Sequence, residues 1–129
     1  MPVKVGFTTF DCGDPRAVAE FWATALSYEI DAPNEADGEI MLKDPNGVGP
    51  SLGFMKVPEP KVIKNRVHLD LIVTEGSLEQ EVERLVAAGA RAVETLQDPD
   101  WFVDPMAWTV MHDPEGNEFC VIEWMSRRA

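Results

Sequence analysis

One turn occurs twice in this chain, as Asp44-Pro45-Asn46-Gly47 and as Asp113-Pro114-Glu115-Gly116. Proline fixes φ and glycine accepts a positive φ, so both read as hairpin connections without catalytic meaning. The surroundings repeat as well, and an internal repeat constrains the fold more than any local propensity. Ahead of the first turn, VKVGFTTF reads as a strand and DPRAVAEFWATALSY as a helix, with Asp14 as N-cap and Pro15 at the first helical position. Val18, Phe21, Trp22, Ala25 and Leu26 recur at helical spacing and form one apolar stripe. YEID, EIMLK and SLGFMKV follow as strands, the last two joined by the turn.

The second half keeps that order. RVHLDLIV reads as a strand, and SLEQEVERLVAAG as a helix opened by a Ser77–Gln80 capping box and closed by Gly89, with Leu78, Val82, Leu85 and Val86 as its stripe. RAVETL, AWTVMH and EFCVIEW complete the unit. The distance between corresponding points widens toward the second turn, which places an insertion at QDPDWFVDP; its prolines and aspartates make it a loop. The boundaries predicted are a first module at about 1–57, a linker at about 58–65 and a second module at about 66–129, together one domain. A helix followed by a mostly antiparallel sheet buries both apolar faces by packing the helix on one side of the sheet. The expected class is therefore α+β: two tandem βαβββ modules forming a curved sheet, helices on the outer face and a cup-shaped cavity on the free one, where small ligands bind.

At 129 residues, with 45% hydrophobic and 26% charged side chains, the chain can bury a core without staples. A net charge of −12 opposes phosphate backbones and anionic headgroups, so neither nucleic acid nor membrane is an expected partner. No apolar run approaches the roughly 18 residues of a membrane span, and MPVKVGFTTF lacks a signal-peptide core, so a cytoplasmic location is expected. In that compartment Cys12 and Cys120 read as reduced thiols. Glycine-rich phosphate loops, nucleophile elbows and paired-cysteine metal motifs are all missing from the sequence.

The module order, FWATALSYEI, the paired turns and DPEGNEFCVIEW together resemble the vicinal oxygen chelate superfamily, which includes glyoxalase I, extradiol dioxygenases and bleomycin resistance proteins. VPEPKVIKNRVHLDL is most similar to a glyoxalase-like branch. Dimers are general among such relatives, so the resemblance implies a homodimer. In the metal enzymes it also implies four ligand positions, which fall here on Phe7, Gly53, His68 and Cys120. Only His68 and Cys120 of these carry a donor, so no tightly bound cofactor is expected, while a divalent metal held by those two is possible.

Alternation along EFCVIEW sends Glu118, Cys120 and Ile122 to one face and Phe119, Val121 and Glu123 to the other. Cys120 then points into the cup, as a thiolate ligand or as a small apolar filler. His68 shares its strand face with Asp70 and Ile72, and a His–Asp pair in a cavity is suited to acid–base catalysis or ligand binding. Trp101, in the inserted loop, is the candidate ligand lid, and Phe7 and Gly53 are candidate ligand-binding positions. Lys61, Lys64 and Arg66 are solvated linker cations or attractors of an acidic ligand. Trp108 and Trp124 lie on strands whose faces the sequence leaves unassigned, and His112 reads as a surface residue. The leading expectation is a glyoxalase-like protein that holds a small organic molecule without a tightly bound metal, for sequestration or for a metal-free step by His68 and Asp70. The alternative is a metal-dependent lyase, isomerase or dioxygenase using His68 and Cys120.

Overall fold

The computed structural model describes residues 2–98 and 105–128 and divides into two compact units, Met1–Val62 and Ile63–Ala129. Trp101 lies outside the described residues. The fold is α+β, and the described residues form one α-helix and one four-stranded sheet in each of two tandem βαβββ modules.

In the first unit, β1 (Phe7–Cys12), α1 (Pro15–Leu26), β2 (Glu29–Asp31), β3 (Glu39–Lys43) and β4 (Ser51–Lys56) give the sheet order β1-β4-β3-β2. Strand β1 runs parallel to β4, because the helix and the meander between them form the crossover that a parallel pair requires; the other pairs are antiparallel. Asp14 caps α1, its Oδ1 accepting from the Ala17 N–H at 3.1 Å. That bond satisfies one of the amide donors a helix start leaves open. Val18, Ala19, Phe21 and Trp22 are buried against β3 and β4, while Ala25 and Leu26 are half-buried. The Phe10 ring stacks on Phe54 at 5.4 Å between centroids, and Phe21 meets Trp22 edge to face at 5.3 Å. Burial of each such aromatic stabilises the unit by about 1.5–3 kcal/mol.

In the second unit, β5 (Leu69–Ile72), α2 (Leu78–Ala87), β6 (Arg91–Asp98), β7 (Met106–His112) and β8 (Glu118–Trp124) repeat the pattern with the order β5-β8-β7-β6. Again the first and last strands are parallel and the others antiparallel. The capping box forms in both directions: Ser77 Oγ accepts from the Gln80 N–H at 3.2 Å, and Gln80 Oε1 accepts from the Ser77 N–H at 3.0 Å. Leu78 and Leu85 are buried and Val82 is half-buried. Val86 departs from its expected place in the stripe and is 46% exposed. At 3.6 residues per turn, a side chain eight positions after Leu78 has rotated to the margin of a narrow apolar face.

The two copies of the repeated turn differ in their setting. Gly47 (φ 69°) and Gly116 (φ 84°) both sit in the left-handed region, and both donate to the carbonyl of the leading aspartate. Asp44 is half-buried and accepts from the N–H groups of Asn46, Val48 and Gly49. The bond from Gly49, then that from Asn46, holds its carboxyl below the usual range. Asp113 is only 4% exposed. It accepts from the N–H groups of Glu115 and Asn117 and from the Asn117 side-chain amide, each at 2.9 Å. Asn117 Oδ1 in turn accepts from Asn65 Nδ2 at 2.8 Å, and the Asn65 N–H donates to Glu118 Oε2 at 2.9 Å. The second turn thus tethers the segment that leads into His68.

Candidate functional site

Helix α2 covers one face of the second sheet, and the residues beneath it, Phe119, Val121 and Glu123, are buried. Glu123 is a carboxylate with 1% exposure whose Oε1 accepts from the Leu78 N–H at 3.4 Å. It sits where the open amides and the dipole of a helix start favour negative charge. Alternation alone places Glu123 on this face; the helix terminus above it is the partner that the sequence does not reveal.

The opposite face carries the site. Glu118, Cys120, Ile122 and Trp124 follow one another along β8 on this side. Parallel pairing with β5 sets Asp70 opposite Cys120 and Ile72 opposite Ile122. Antiparallel pairing with β7 sets Val110 opposite Cys120, Trp108 opposite Ile122 and Met106 opposite Trp124. His68 lies one residue ahead of β5 rather than inside a longer strand. These residues, with Lys64, line an open cavity of about 570 Å³, within the usual size range of small-molecule sites. Side chains are polar at one end of it, around His68, Asp70, Cys120 and Glu118, and apolar at the other, around Met106, Trp108 and Trp124.

His68 Nδ1 lies 3.1 Å from Asp70 Oδ1, with the two side chains 41% and 48% exposed. Cys120 is half-buried and hydrogen-bonded to Asp70. Burial, followed by the Asp70 charge and that hydrogen bond, pushes the Cys120 thiol above its ordinary range, with Lys64 pulling the other way. The group is therefore a protonated thiol and an imidazole converging on one carboxylate.

A nitrogen, an oxygen and a sulfur donor, one from each of His68, Asp70 and Cys120, lie within 4.8 Å of one another. In donor type this set fits a zinc-class ion, provided that Cys120 gives up its proton. Asp70 is the third donor, which the resemblance did not supply. Phe7 and Gly53 lie in the first unit, on β1 and β4, and offer no side-chain donor. A Cβ at Gly53 would meet Thr9 Oγ1 at 2.9 Å and Met41 Sδ at 3.1 Å, so a larger residue there needs its neighbours to move. Trp108 and Trp124, unassigned from sequence, both line the cavity, as does Lys64. Trp124 could have been placed by extending the alternation from Cys120; Trp108 needed the β7–β8 register. His112 Nδ1 lies 2.7 Å from the Arg91 guanidinium, which donates to it. Cys12 and Cys120 are not joined in a disulfide. No helix among the described residues is long and apolar enough to cross a membrane.

The sequence profile of a family described as Glyoxalase-like domain matches residues 7–122. No curated protein matches the sequence. Among solved structures, a glyoxalase/bleomycin resistance protein/dioxygenase family enzyme from Burkholderia phytofirmans PsJN is similar at 18% identity and a TM-score of 0.72, with 94% of this chain and 98% of that one covered. The fosfomycin resistance protein FosX from Listeria monocytogenes is similar at 13% identity and a TM-score of 0.71, with 94% and 91% covered. A glyoxalase-related enzyme from Fulvimarina pelagi is similar at 19% identity and a TM-score of 0.66, with 93% and 87% covered. At these identities the likeness shows the shared fold.

Proposed function

We propose, on the footing that this chain belongs to the glyoxalase-like domain family, that it binds a small organic molecule on the open face of its second sheet. The observation that carries this reading is the cavity whose polar end joins His68, Asp70 and Cys120 and whose apolar end presents two indoles. The apolar body of the ligand lies over Ile122, Trp108 and Trp124, and its polar group reaches His68. With Asp70 beside Nδ1, His68 takes a proton and returns it, which serves either retention of the ligand or a proton-transfer reaction on it. Phe7 and Gly53 of the first unit are proposed as ligand-binding positions by resemblance, and Trp101 from its place in the sequence.

The neutral apolar dye N-phenyl-1-naphthylamine tests the pocket. Its fluorescence is expected to rise on binding to the folded protein. Trp108→Ala should weaken that binding by roughly tenfold or more, as removal of a central aromatic contact does. A folded protein that leaves the dye dark, or a Trp108→Ala variant that binds it unchanged, sinks the placement.

A second reading rests on the three-donor group. His68, Asp70 and Cys120 would hold a zinc-class ion, and such an ion supplies Lewis-acid polarisation of a ligand oxygen. Against it, Asp70 is already engaged by both neighbours, and Cys120 must lose a proton that its surroundings help it keep. After dialysis against a weak chelator, elemental analysis is expected to find well under one transition metal per chain. One zinc, nickel, manganese or iron per chain would instead favour the metal-dependent reading. Loss of that metal in Cys120→Ser would then assign the thiol as its ligand.

A further inference from the structure

We propose that Asn46, in the first copy of the repeated turn, is a site of covalent self-modification. The backbone nitrogen of Gly47 attacks the Asn46 side-chain amide, and the cyclic imide that results opens to aspartate or isoaspartate.

Asparagine amides are chemically labile, and the residue that follows decides how labile. The attacking nitrogen belongs to that residue, so a side chain on it crowds the approach. Asn34 and Asn117 precede glutamates and Asn65 precedes an arginine, whereas Asn46 precedes a glycine. A Cβ built at Gly47 would meet nothing within 4 Å, so the space around the nucleophile is open.

The surroundings sort the side chains the same way. Asn117 is buried, its amide donating to Asp113 and accepting from half-buried Asn65. Asn46 is exposed, and its side-chain amide is bonded to none of the described residues. It can therefore swing toward the Gly47 nitrogen. Asp37-Gly38 could form the same imide, but that glycine is held from both sides. Its N–H donates to Glu35 O at 2.9 Å and its carbonyl accepts from the Lys56 N–H at 2.8 Å. A carboxylate is also a poorer acyl acceptor than an amide.

The turn restrains the reaction without preventing it. Gly47 donates its N–H to Asp44 O at 3.0 Å, and Asp44 Oδ1 accepts from the Asn46 N–H at 2.9 Å. Attack needs the Gly47 nitrogen turned toward Cγ of Asn46, so it proceeds from the open form of the turn. Residues 45 to 48 are exposed, and opening there uncovers no core.

Water is the one co-reactant. Hydroxide takes the Gly47 amide proton, a bond forms between that nitrogen and Asn46 Cγ, and the Cγ–Nδ2 bond breaks. Nδ2 leaves as ammonia with a proton from water, which restores the hydroxide. Water then cleaves the imide at Cγ, giving aspartate, or at the Asn46 carbonyl carbon, giving isoaspartate. Either product puts a second carboxylate in the turn beside Asp44, and isoaspartate lengthens the β3–β4 connection by a methylene.

Cleavage after Lys43 and Lys56 releases residues 44–56, in which Asn46 is the sole side-chain amide. The folded protein is incubated in heavy-oxygen water at mildly alkaline pH, digested with trypsin in ordinary water and read by mass spectrometry. Label is expected in that peptide well before it enters the peptides carrying Asn34 and Asn117, and faster as pH rises. Asn46→Ser should leave the peptide unlabelled. Asp44→Ala removes carboxylate bonds that hold the turn shut, so label should enter roughly threefold to tenfold faster, the change in open population for about one lost hydrogen bond. The Asn34 and Asn117 peptides should stay slow in that variant, which separates local opening from unfolding.

Labelling at Asn34 or Asn117 as fast as at Asn46 overturns the inference. So does an unlabelled 44–56 peptide from the folded protein over a period in which the urea-unfolded chain reacts fully, and so does an unchanged rate in Asp44→Ala.

Discussion

Truncating Phe21 to alanine is expected to destabilise the protein by about 3–5 kcal/mol, the usual range for a buried phenylalanine. Phe21 is 1% exposed, it meets Trp22 edge to face, and α1 packs on β3 and β4. Removing its ring deletes contacts on the helix side that backbone movement cannot restore, because the capped start of α1 fixes how the helix enters the fold. Against a total stability of about 5–15 kcal/mol, the loss is a large fraction. Val86→Ala is the matched control: a stripe position by spacing that is 46% exposed, expected to change stability by about 0.5 kcal/mol or less. Urea unfolding midpoints read both variants. A Phe21→Ala cost near that of Val86→Ala would mean that the helix does not bury the face assigned to it.

The second large effect is expected at Asp113. Asp113→Ala leaves the Glu115 N–H, the Asn117 N–H and the Asn117 side-chain amide without their carboxylate, in a turn where Asn117 is itself buried. Unsatisfied buried donors cost about 1–3 kcal/mol each; since the loosened turn admits some water, a total of about 2–4 kcal/mol is expected. Asp44→Ala removes an equivalent set of bonds from the first turn, but there Pro45, Asn46, Gly47 and Val48 are exposed and water replaces the carboxylate. A smaller loss than at Asp113 is expected for that change.

Asp113→Ala should also weaken dye binding, because Asn117 holds Asn65 and with it the segment carrying Lys64 and His68. Asp113 is thus a positioning residue, and reduced dye affinity in Asp113→Ala under conditions where it remains folded is a result that Asp44→Ala should not reproduce. Equal stability losses at the two aspartates would show that burial does not separate the two turns.

Those two turns show how far the sequence could be read. Their order around each helix, the caps at Asp14 and Ser77 and the alternation through Cys120 were all legible, because capping and the side-chain periods of helix and strand act over a few residues. Val86 was misplaced because a stripe's width depends on what the helix packs against. His68 fell just outside its strand because strand ends are set by where the partner strand stops pairing. Asp70 was legible as a candidate partner of His68, but its reach to Cys120 was not.

The sequence by itself determined the module repeat, the helix starts and the face of β8 that each side chain takes. Only the tertiary structure decided that Asp70 stands opposite Cys120, that Trp108 joins Trp124 on the cavity floor and that Asp113 is buried while Asp44 is not. Strand register explains the first two, because residues far apart in the chain meet only once neighbouring strands align, and a slip of one residue would turn every side chain to the other face. Burial explains the third, because two turns built on the same Asp-Pro-x-Gly sequence differ in how the rest of the chain packs around them.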